Sequence, residues 1–446
     1  MMYDMEKIKA ELGSGLRDYL PADMIGRQIM LDKIRQVFEL FGFAPLSTPG
    51  LEKEEILTGN DPNFKMQIFK TRLQQDEDLA LRFDLTVPLA RVMVQYDNEI
   101  DKPFKRYQIG SVWRGERPQF GRFREFMQCD ADIVGSATMA ADAEIISLMS
   151  AVLSALGLNR FLIKVNNRKI LNGLSQYVGF DPDKLVIVLR VIDKLDKAGW
   201  PAVAEELVTA VGLQPDQLEK LKKFIEFKAP NQSAALAGIR ELMANSEIAL
   251  QGITELEQII KHLKALKVPD DCWTIDFSVA RGLAYYTGPV FETILVDFPE
   301  LGSIFSGGRY DDLLSRFSNN TLPAVGASVG LDRLFAGMKK MGLLTEIATV
   351  TQVAVLNFDQ NNESYCEQVV AGLRQAGIKT EFYLGKETGL KGQLTYALKK
   401  DIPIVVLAGS TESERGVVQI KDLRQHEQTE STLAELESKI RTILDR

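Results

Sequence analysis

Hydrophobic and polar positions between residues 22 and 41 alternate with the spacing of a helix. Apolar residues recur there every three or four positions, and charged residues occupy many of the positions between them. This spacing puts the apolar side chains on one face and predicts an amphipathic helix that ends near Gly42. Because Pro45, Pro49 and Gly50 come next, an extended or turning segment is predicted to follow the helix.

From residue 79 to residue 135 the pattern changes to short apolar stretches between charged turns, which is typical of strands. Helical spacing returns over 142–155 and then dominates a block from about 173 to 266. Strand patterns resume at 272–297 and 303–308. The strand patterns before and after the helical block look like parts of one sheet, so this block is interpreted as an insertion into a single mixed domain.

Near residue 345 the chain turns polar and a second arrangement begins, in which strand and helix patterns alternate. Such alternation predicts a parallel-type sheet with flanking helices. The predicted domains are therefore 1–345, with the helical insertion at about 173–266, and 351–446. The predicted fold class is α/β, of the α+β kind.

Composition sets the class of protein. The 446 residues are 45% hydrophobic and 26% charged, enough for two or three globular domains with their own cores. No apolar run approaches the roughly 20 residues of a membrane span, and the N-terminus lacks the apolar core of a signal peptide. We therefore expect a cytoplasmic protein with no membrane partner. The net charge of −8 excludes a uniformly basic nucleic-acid binder, but a local basic patch can still bind RNA.

Cysteine and histidine usage narrows the chemistry. Cys129, Cys272 and Cys366 are isolated from one another, which argues against a zinc site or a disulfide framework. His262 and His426 lie in polar, charge-rich segments and are interpreted as surface residues. Catalysis is therefore expected to depend on carboxylates, arginines, tyrosines or a bound metal.

The segment 104–128 concentrates arginine and aromatic residues in a protein that is acidic as a whole. Its basic residues are Lys105, Arg106, Arg114, Arg117, Arg122 and Arg124. Guanidinium groups suit phosphate oxygens, because their planar forks give paired donors that are always charged, and aromatic faces suit a stacked purine. The alternative is a strand pair with ordinary surface ion pairs to Glu116 and Glu125.

Four more segments are candidates, each with a structural alternative when read alone. In Arg82–Pro88, Asp84 and Thr86 are interpreted as lying two apart in a strand, on one side, where they can hold an ammonium group. The runs 281–292 and 306–311 combine glycines, which let backbone approach a ligand, with tyrosines. In 324–334 a strand of small residues runs into a helix, where Arg333 can reach a phosphate.

Together and in this order, the five segments resemble those of histidyl-tRNA synthetases, a group within the class II aminoacyl-tRNA synthetases. The stretch 42–52 is similar to the first class II motif, 114–128 to the second and 326–333 to the third. The runs 281–292 and 306–311 are similar to the two segments that distinguish the histidyl group. The resemblance implies an antiparallel class II sheet flanked by helices, the helical insertion, and a C-terminal α/β anticodon-binding domain from 352 to about 430.

The resemblance also implies roles for individual residues. ATP would be bound by Arg114, Glu116, Arg122, Phe126 and Arg333. Histidine would be bound by Asp84, Thr86, Gln128, Asp132, Arg281, Tyr285 and Tyr286. Of the seven, Asp84, Thr86 and Gln128 would hold the amino group, and Asp132 and Tyr286 the imidazole. The catalytic cations would be Arg281, Arg114 and Arg333.

The implied reaction has two steps. Histidine and ATP give histidyl-adenylate and pyrophosphate, with Mg²⁺ on the leaving group, and the histidyl group then moves to the 3′ end of tRNA(His). A homodimer is implied, because the first motif forms much of the dimer interface in the family. The chain departs from the family pattern at Ala284, where the family usually has Asp, and at Ser306, where it often has Gly.

The sequence leaves two alternatives. A non-catalytic relative of these enzymes is the regulatory subunit of ATP phosphoribosyltransferase, which typically lacks the anticodon-binding domain and the arginine pattern. This chain keeps the four arginines at 114, 122, 281 and 333 and a full C-terminal segment. The second alternative is a class II synthetase for another amino acid, against which the runs 281–292 and 306–311 argue.

Overall fold

The structure is a computed structural model that describes residues 9–59, 67–72, 77–192, 194–279, 286–317, 321–344 and 347–446. Contacts between Cα atoms divide the chain into two compact units. The first comprises Met30–Leu343 with the N-terminal residues to Arg17, and the second comprises Leu344–Arg446 with Asp18–Ile29. The domain bounds predicted from the sequence stay a prediction.

The first unit is built on strands that follow one another in the chain. They are β1 Ala44–Pro45, β2 Leu51–Lys53, β3 Lys70–Arg72, β4 Asp78–Leu81, β5 Phe104–Trp113, β6 Glu125–Val134, β7 Phe161–Asn167, β8 Trp273–Ile275, β9 Pro289–Leu295, β10 Phe305–Arg309 and β11 Ala324–Gly330. Eight of them form one sheet in the order β1-β5-β6-β11-β10-β9-β7-β8, and β2-β4-β3 form a small antiparallel sheet. All pairs inside the large sheet from β5 to β7 are antiparallel. The predicted class II type of fold, an antiparallel sheet flanked by helices, is confirmed.

Helices of the first unit surround this sheet or lie between β7 and β8. Those outside the β7–β8 interval are Glu54–Thr58, Thr86–Gln95, Met139–Ala155 and Leu331–Lys340, together with Pro21–Leu40, which runs across the division between the units. Those between β7 and β8 are Arg168–Asn172, Leu174–Val178, Leu185–Ile192, Leu195–Val211, Pro215–Ile225, Gln232–Leu242 and Glu247–Ala265. The helical block therefore separates two strands that pair with each other in parallel.

The second unit contains its own five-stranded sheet. Its strands are β12 Val353–Leu356, β13 Thr380–Phe382, β14 Ile404–Leu407, β15 Val417–Asp422 and β16 Glu427–Thr432, in the order β13-β12-β14-β15-β16. Its helices after residue 344 are Glu363–Gln375, Leu390–Lys399, Ser410–Glu414 and Leu433–Leu444. Only β13, β12 and β14 are parallel. The parallel-type prediction fails for β15 and β16, because short connections after β14 and β15 can only join antiparallel neighbours.

A second sequence-based prediction is wrong. The sequence pattern predicts a strand over Arg82–Pro88, but β4 ends at Leu81 and a helix begins at Thr86. The Asp84 carboxylate accepts a hydrogen bond from the Val87 amide at 3.1 Å, so it satisfies one of the free N–H groups of the first helical turn. Asp84 and Thr86 therefore belong to a strand-to-helix turn.

The two faces of the large sheet differ in chemistry. On one face, Arg309 of β10 reaches the helix Met139–Ala155 and forms a buried ion pair with both oxygens of Asp142. The same guanidinium donates to the carbonyl oxygens of Ser136, at 2.9 Å, and Thr138. Asp142 is fully buried, and burial raises the pKa of its carboxyl to about 6 while Arg309 lowers it. We interpret this face as structural, because the ion pair of Arg309 with Asp142 attaches the helix Met139–Ala155 to the sheet.

Asp142→Asn removes one charge of this buried pair and should destabilise the protein by about 3 kcal/mol, because the buried Arg309 then keeps only Asp311, at 3.3 Å, as a counter-charge. The measurement is urea denaturation followed by circular dichroism. Asp297→Asn is the control, because Asp297 pairs with Arg160 at the surface, where both side chains are exposed, and should change the free energy of unfolding little. Equal effects of the two variants would contradict the assignment.

Candidate active site

The other face of the large sheet carries a row of buried polar residues on β6. Gln128, Asp130 and Asp132 alternate along the strand, so all three side chains point to one face. All three side chains are buried. Their directly opposite partners on β5 are Gly110, Gln108 and Arg106, and on β11 they are Gly330, Ser328 and Gly326. The centre of the sheet is therefore a polar surface with glycines beside it.

Asp132 is held from two sides. The Arg106 Nη2 atom lies 2.8 Å from Asp132 Oδ2, and the Tyr310 hydroxyl donates a hydrogen bond to Asp132 Oδ1. Arg106 is completely buried, and its guanidinium also donates to the Leu85 carbonyl oxygen at 3.1 Å. Desolvation raises the pKa of Asp132, while Arg106 and Tyr310 lower it. The carboxylate is thus fixed in position by a cation and a phenol.

Glycines make room for Asp132 and Tyr286 on this face. A Cβ atom on Gly326 would lie 1.9 Å from Asp132 Oδ1, so only glycine permits this position of the carboxylate. A Cβ atom on Gly308 would lie 2.9 Å from the ring of Tyr286. Gly308 and Gly326 are directly opposite each other on β10 and β11. Asp132 and Tyr286, both predicted to contact an imidazole, therefore lie over neighbouring strands on the same face.

Three acceptor atoms of the β6 row are buried and make no hydrogen bond within the described part of the chain. They are Gln128 Oε1, Asp130 Oδ1 and Asp132 Oδ2. The last of these contacts Arg106 as an ion pair, although the angle is not that of a hydrogen bond. Buried polar atoms are nearly always paired, so this row suits a ligand that brings several N–H donors.

Asp84, Arg114 and Phe126 come together beside the row. Arg114 donates through Nε to the Phe83 carbonyl oxygen at 3.0 Å, and its guanidinium carbon lies 5.2 Å from the centre of the Phe126 ring. Desolvation raises the pKa of Asp84, whereas the Val87 amide and the charge of Arg114 lower it. A carboxylate, a guanidinium and an aromatic ring are therefore adjacent, and Thr86 follows two residues after Asp84 at the helix start.

The loop between β5 and β6 packs against the helix Leu331–Lys340. Gln119 and Arg122 pair through their backbones, and a Cβ atom on Gly121, at φ +68°, would lie 3.2 Å from the Cα of Arg333. Arg333 donates through Nη1 to the Ser303 carbonyl oxygen at 2.6 Å. Glu116 is exposed, and Arg122 is half-buried. The loop thus brings two predicted ATP residues, Arg122 and Arg333, to one region of the fold.

The other predicted site residues, Arg281 and Tyr285, lie outside the described residues, as does Ala284. The sequence motifs give Asp130 no role, and they include Arg106, Tyr310 and Ser328 in candidate segments without predicting that these residues lie on this face. Alternation along 128–132 was the signal for Asp130. The contacts of Arg106 and Tyr310 depend on strand register and on a turn, which local periodicity does not reveal.

This face can bind a small cationic ligand next to a polyanionic one. The acceptors of Gln128, Asp130 and Asp132 suit N–H donors, and Arg114 beside Phe126 suits a phosphate and a flat base. Among the described residues there is no group of three or more His, Cys, Asp or Glu side chains that could hold a metal ion. No helix in the described ranges is long and apolar enough to cross a membrane.

Comparison with protein families matches nearly the whole chain. The model of the family described as Histidyl-tRNA synthetase matches residues 15–334, and the model described as Anticodon binding domain matches residues 352–443. A histidine–tRNA ligase of Wolinella succinogenes is 42% identical over 418 residues, covering 93% of this chain and 94% of the relative. That of Paracoccus denitrificans is 40% identical over 485 aligned positions, covering 98% of each.

Solved structures show the same fold. The crystal structure of histidyl-tRNA synthetase from a Nostoc species superposes with a TM-score of 0.87 at 34% identity, covering 98% of this chain and 100% of that one. A Bacillus halodurans protein described as ATP phosphoribosyltransferase regulatory subunit/histidyl-tRNA synthetase has a TM-score of 0.74 at 24% identity, covering 88% of this chain and 97% of its own. At that identity the second likeness concerns the fold alone.

Proposed function

The chain belongs to the histidyl-tRNA synthetase family, and from this membership we propose that it joins L-histidine to tRNA(His) in two steps. Its relatives are aminoacyl-tRNA ligases, and the chain is an enzyme of this class. The observation that carries the choice of histidine is the buried acceptor row of β6 beside the arginine and aromatic cluster. A ligand with an ammonium group and a ring N–H fits the acceptor row, and ATP fits the arginine and aromatic cluster.

Asp132 and Tyr286 are proposed to bind the imidazole. The Asp132 carboxylate is held by Arg106 and Tyr310, so it can accept from a ring N–H without reorganising. A site with a polar partner on each side of the ring discriminates against rings that lack one nitrogen, because a buried group would be left unpaired. Tyr285 is proposed as a further histidine contact on the basis of the family resemblance.

The amino group of histidine is proposed to bind Asp84, Thr86 and Gln128. Gln128 Oε1 is a buried acceptor, and Asp84 is a carboxylate at the start of the helix Thr86–Gln95. An ammonium group brings three donors, which matches a carboxylate, a hydroxyl and an amide oxygen. The proximity of Arg114 to Asp84 supports this placement, because it sets the histidine carboxylate near the phosphate site.

ATP is proposed to bind Arg114, Glu116, Arg122, Phe126 and Arg333. The ring of Phe126 and the guanidinium of Arg114 lie together, and the loop that carries Arg122 packs on the helix that carries Arg333. Mg²⁺ is proposed to arrive on the phosphates of ATP, which neutralises the pyrophosphate. No step below depends on a protein-held ion.

In the first step the histidine carboxylate oxygen attacks the α-phosphorus of ATP. The new P–O bond forms as the bond from that phosphorus to the bridging oxygen breaks, and pyrophosphate leaves with the electron pair. Negative charge grows on the non-bridging oxygens, and the fixed cations Arg281, Arg114 and Arg333 are proposed to stabilise it. In the second step the terminal hydroxyl of the tRNA attacks the adenylate carbonyl, and AMP leaves.

The remaining partners are proposed from family membership. The segment 351–446 would bind the anticodon region of tRNA(His), in line with the family match at 352–443. The enzyme would act as a homodimer in the cytoplasm. The regulatory-subunit alternative is less well supported, because the histidine–tRNA ligase relatives cover 93% to 98% of this chain at 40–42% identity.

The direct test is ATP–pyrophosphate exchange with each of the twenty amino acids. Histidine should support exchange and the other nineteen should not, because only its side chain pairs with both imidazole partners. Charging of a tRNA(His) transcript with labelled histidine then tests the second step. Exchange that depends on a different amino acid, or on none of the twenty, would contradict the proposal.

Arg281→Ala should lower the rate of histidine-dependent exchange by about 100-fold or more with little change in the KM for histidine, because a transition-state cation is lost. Arg160→Ala is the matched control, since Arg160 is an exposed arginine paired with Asp297. A large rise in KM with normal turnover would mean that Arg281 only binds substrate.

Tyr310→Phe should raise the KM for histidine by about tenfold, because Asp132 loses a charge-assisted hydrogen bond. That bond lowers the pKa of Asp132, so its loss raises the pKa, and the defect should grow as pH falls. Tyr107→Phe is the control, because its hydroxyl donates at 2.9 Å to Glu39 from the opposite face of the sheet. Steady-state exchange at several histidine concentrations measures both variants, and a pH-independent defect would contradict this account.

A further inference from the structure

Ser328 lies between two of the buried polar residues of β6. It is directly opposite Asp130 in the register of β11 with β6, so the two side chains are neighbours on one face. Its hydroxyl oxygen accepts a hydrogen bond from Gln128 Nε2 at 2.7 Å. Asp130 and Gln128 are buried, and Ser328 is half-buried. The three side chains therefore form a chain of contacts from Asp130 through Ser328 to Gln128.

The proton of the Ser328 hydroxyl determines how this chain is ordered. Asp130 and Ser328 share a side-chain hydrogen bond that lowers the pKa of Asp130. Because an ionised carboxylate only accepts hydrogen bonds, the Ser328 hydroxyl is the donor. The hydroxyl oxygen then accepts from Gln128, which fixes the amide nitrogen on Ser328. The amide oxygen of Gln128 is left facing away from Ser328, and it is the buried acceptor without a partner in the described chain.

We propose that Asp130 is a positioning residue for histidine recognition, which acts through Ser328 to hold the Gln128 amide with its oxygen toward the amino group of the substrate. This inference rests on the proposed function, and it assigns a role to two residues, Asp130 and Ser328, that touch no substrate in the mechanism above. With the amide reversed, Gln128 would present an N–H₂ group to an ammonium group, and two donors would face each other.

The charge on Asp130 depends on the groups around it. Asp132 on the same strand and Asp84 in the turn before the helix Thr86–Gln95 raise its pKa, whereas Arg106 of β5 and the Ser328 hydroxyl of β11 lower it. The buried Arg82 guanidinium also faces Asp130. Desolvation is the largest cause and raises the pKa of Asp130 to about 7. The ionised carboxylate accepts from Ser328 and orders it, so protonation of Asp130 would remove this order.

Asp130→Asn and Ser328→Ala break the relay at different points. The amide introduced at position 130 can donate to Ser328, which frees the hydroxyl proton for the Gln128 oxygen. Ser328→Ala removes the hydroxyl altogether and makes no change to the charge. Thr293→Val is the matched control, because Thr293 has a buried hydroxyl in β9 on the opposite face of the sheet.

The experiment measures histidine-dependent ATP–pyrophosphate exchange for the wild type, both single variants, their double variant and Thr293→Val. Each single variant should raise the KM for histidine by about 10-fold or more, with kcat nearly unchanged, because binding and transition state lose the same contact. The double variant should match the single ones, since both act through one relay. The KM for ATP and the activity of Thr293→Val should match the wild type.

The pH profile separates positioning from ordinary structural damage. In the wild type the KM for histidine should rise as pH falls through about 7, and the ratio of variant to wild-type KM should shrink there. The titration of the substrate itself is common to all forms, so the ratio cancels it. A constant ratio from about pH 6 to about pH 8.5 overturns the inference, because a mere loss of packing does not titrate.

Other outcomes are equally decisive. If Asp130→Asn does not fold, Ser328→Ala still tests the relay through its KM. The inference is overturned if both variants have the wild-type KM for histidine, if their effects add in the double variant, or if only kcat falls. The proposed function stays intact in each of these cases. Absence of histidine-dependent exchange in the wild type overturns both.

Discussion

The constraint on which this protein depends is the burial of neighbouring carboxylates on one face of a sheet. Asp130 and Asp132 are two residues apart on β6, both nearly inaccessible to solvent, and burial disfavours their charged forms. The completely buried Arg106 offsets part of that cost from the adjacent strand, directly opposite Asp132. The register of β5 with β6 is therefore as necessary to the site as the acidic residues themselves.

The two faces of this sheet have different roles: one carries an ion pair that attaches a helix, and the other carries the polar row of β6. Arg309 reaches one face and ties β10 to the helix Met139–Ala155, whereas Tyr310, the next residue, reaches Asp132 on the other. Adjacent residues of an extended chain point to opposite sides, so one short segment serves both purposes. Glycines at 308 and 326 then leave space over the polar face for Tyr286 and Asp132.

Much of the fold could be predicted from the sequence, and the failures have a physical explanation. The strand pattern over 79–135 contains β6, and helical spacing over 22–41 matches the helix Pro21–Leu40, because both signals are local. The prediction of strand at Asp84 and Thr86 is wrong, because a carboxylate that accepts from an amide in the first turn of a helix resembles strand-end polarity in the sequence. The sequence does not predict that Arg106 and Tyr310 contact Asp132, because strand register and a turn set these contacts and no local period encodes them.

The amide oxygen of Gln128 also bears on how such a site gains specificity. A buried acceptor without a donor costs about 1–3 kcal/mol, and Gln128 Oε1 has no partner among the described residues, whereas Asp132 Oδ2 already has its ion pair with Arg106. A ligand that donates to the Gln128 oxygen recovers that free energy, and an analogue that lacks this donor does not. Under the proposed function, discrimination would be built into the protein before the ligand arrives, because Tyr310 holds the Asp132 carboxylate and Ser328 holds the Gln128 amide in place. A row of acidic and amide side chains on a flexible loop would relax and lose this selectivity, which explains why the row stands on a central strand with partners on both sides.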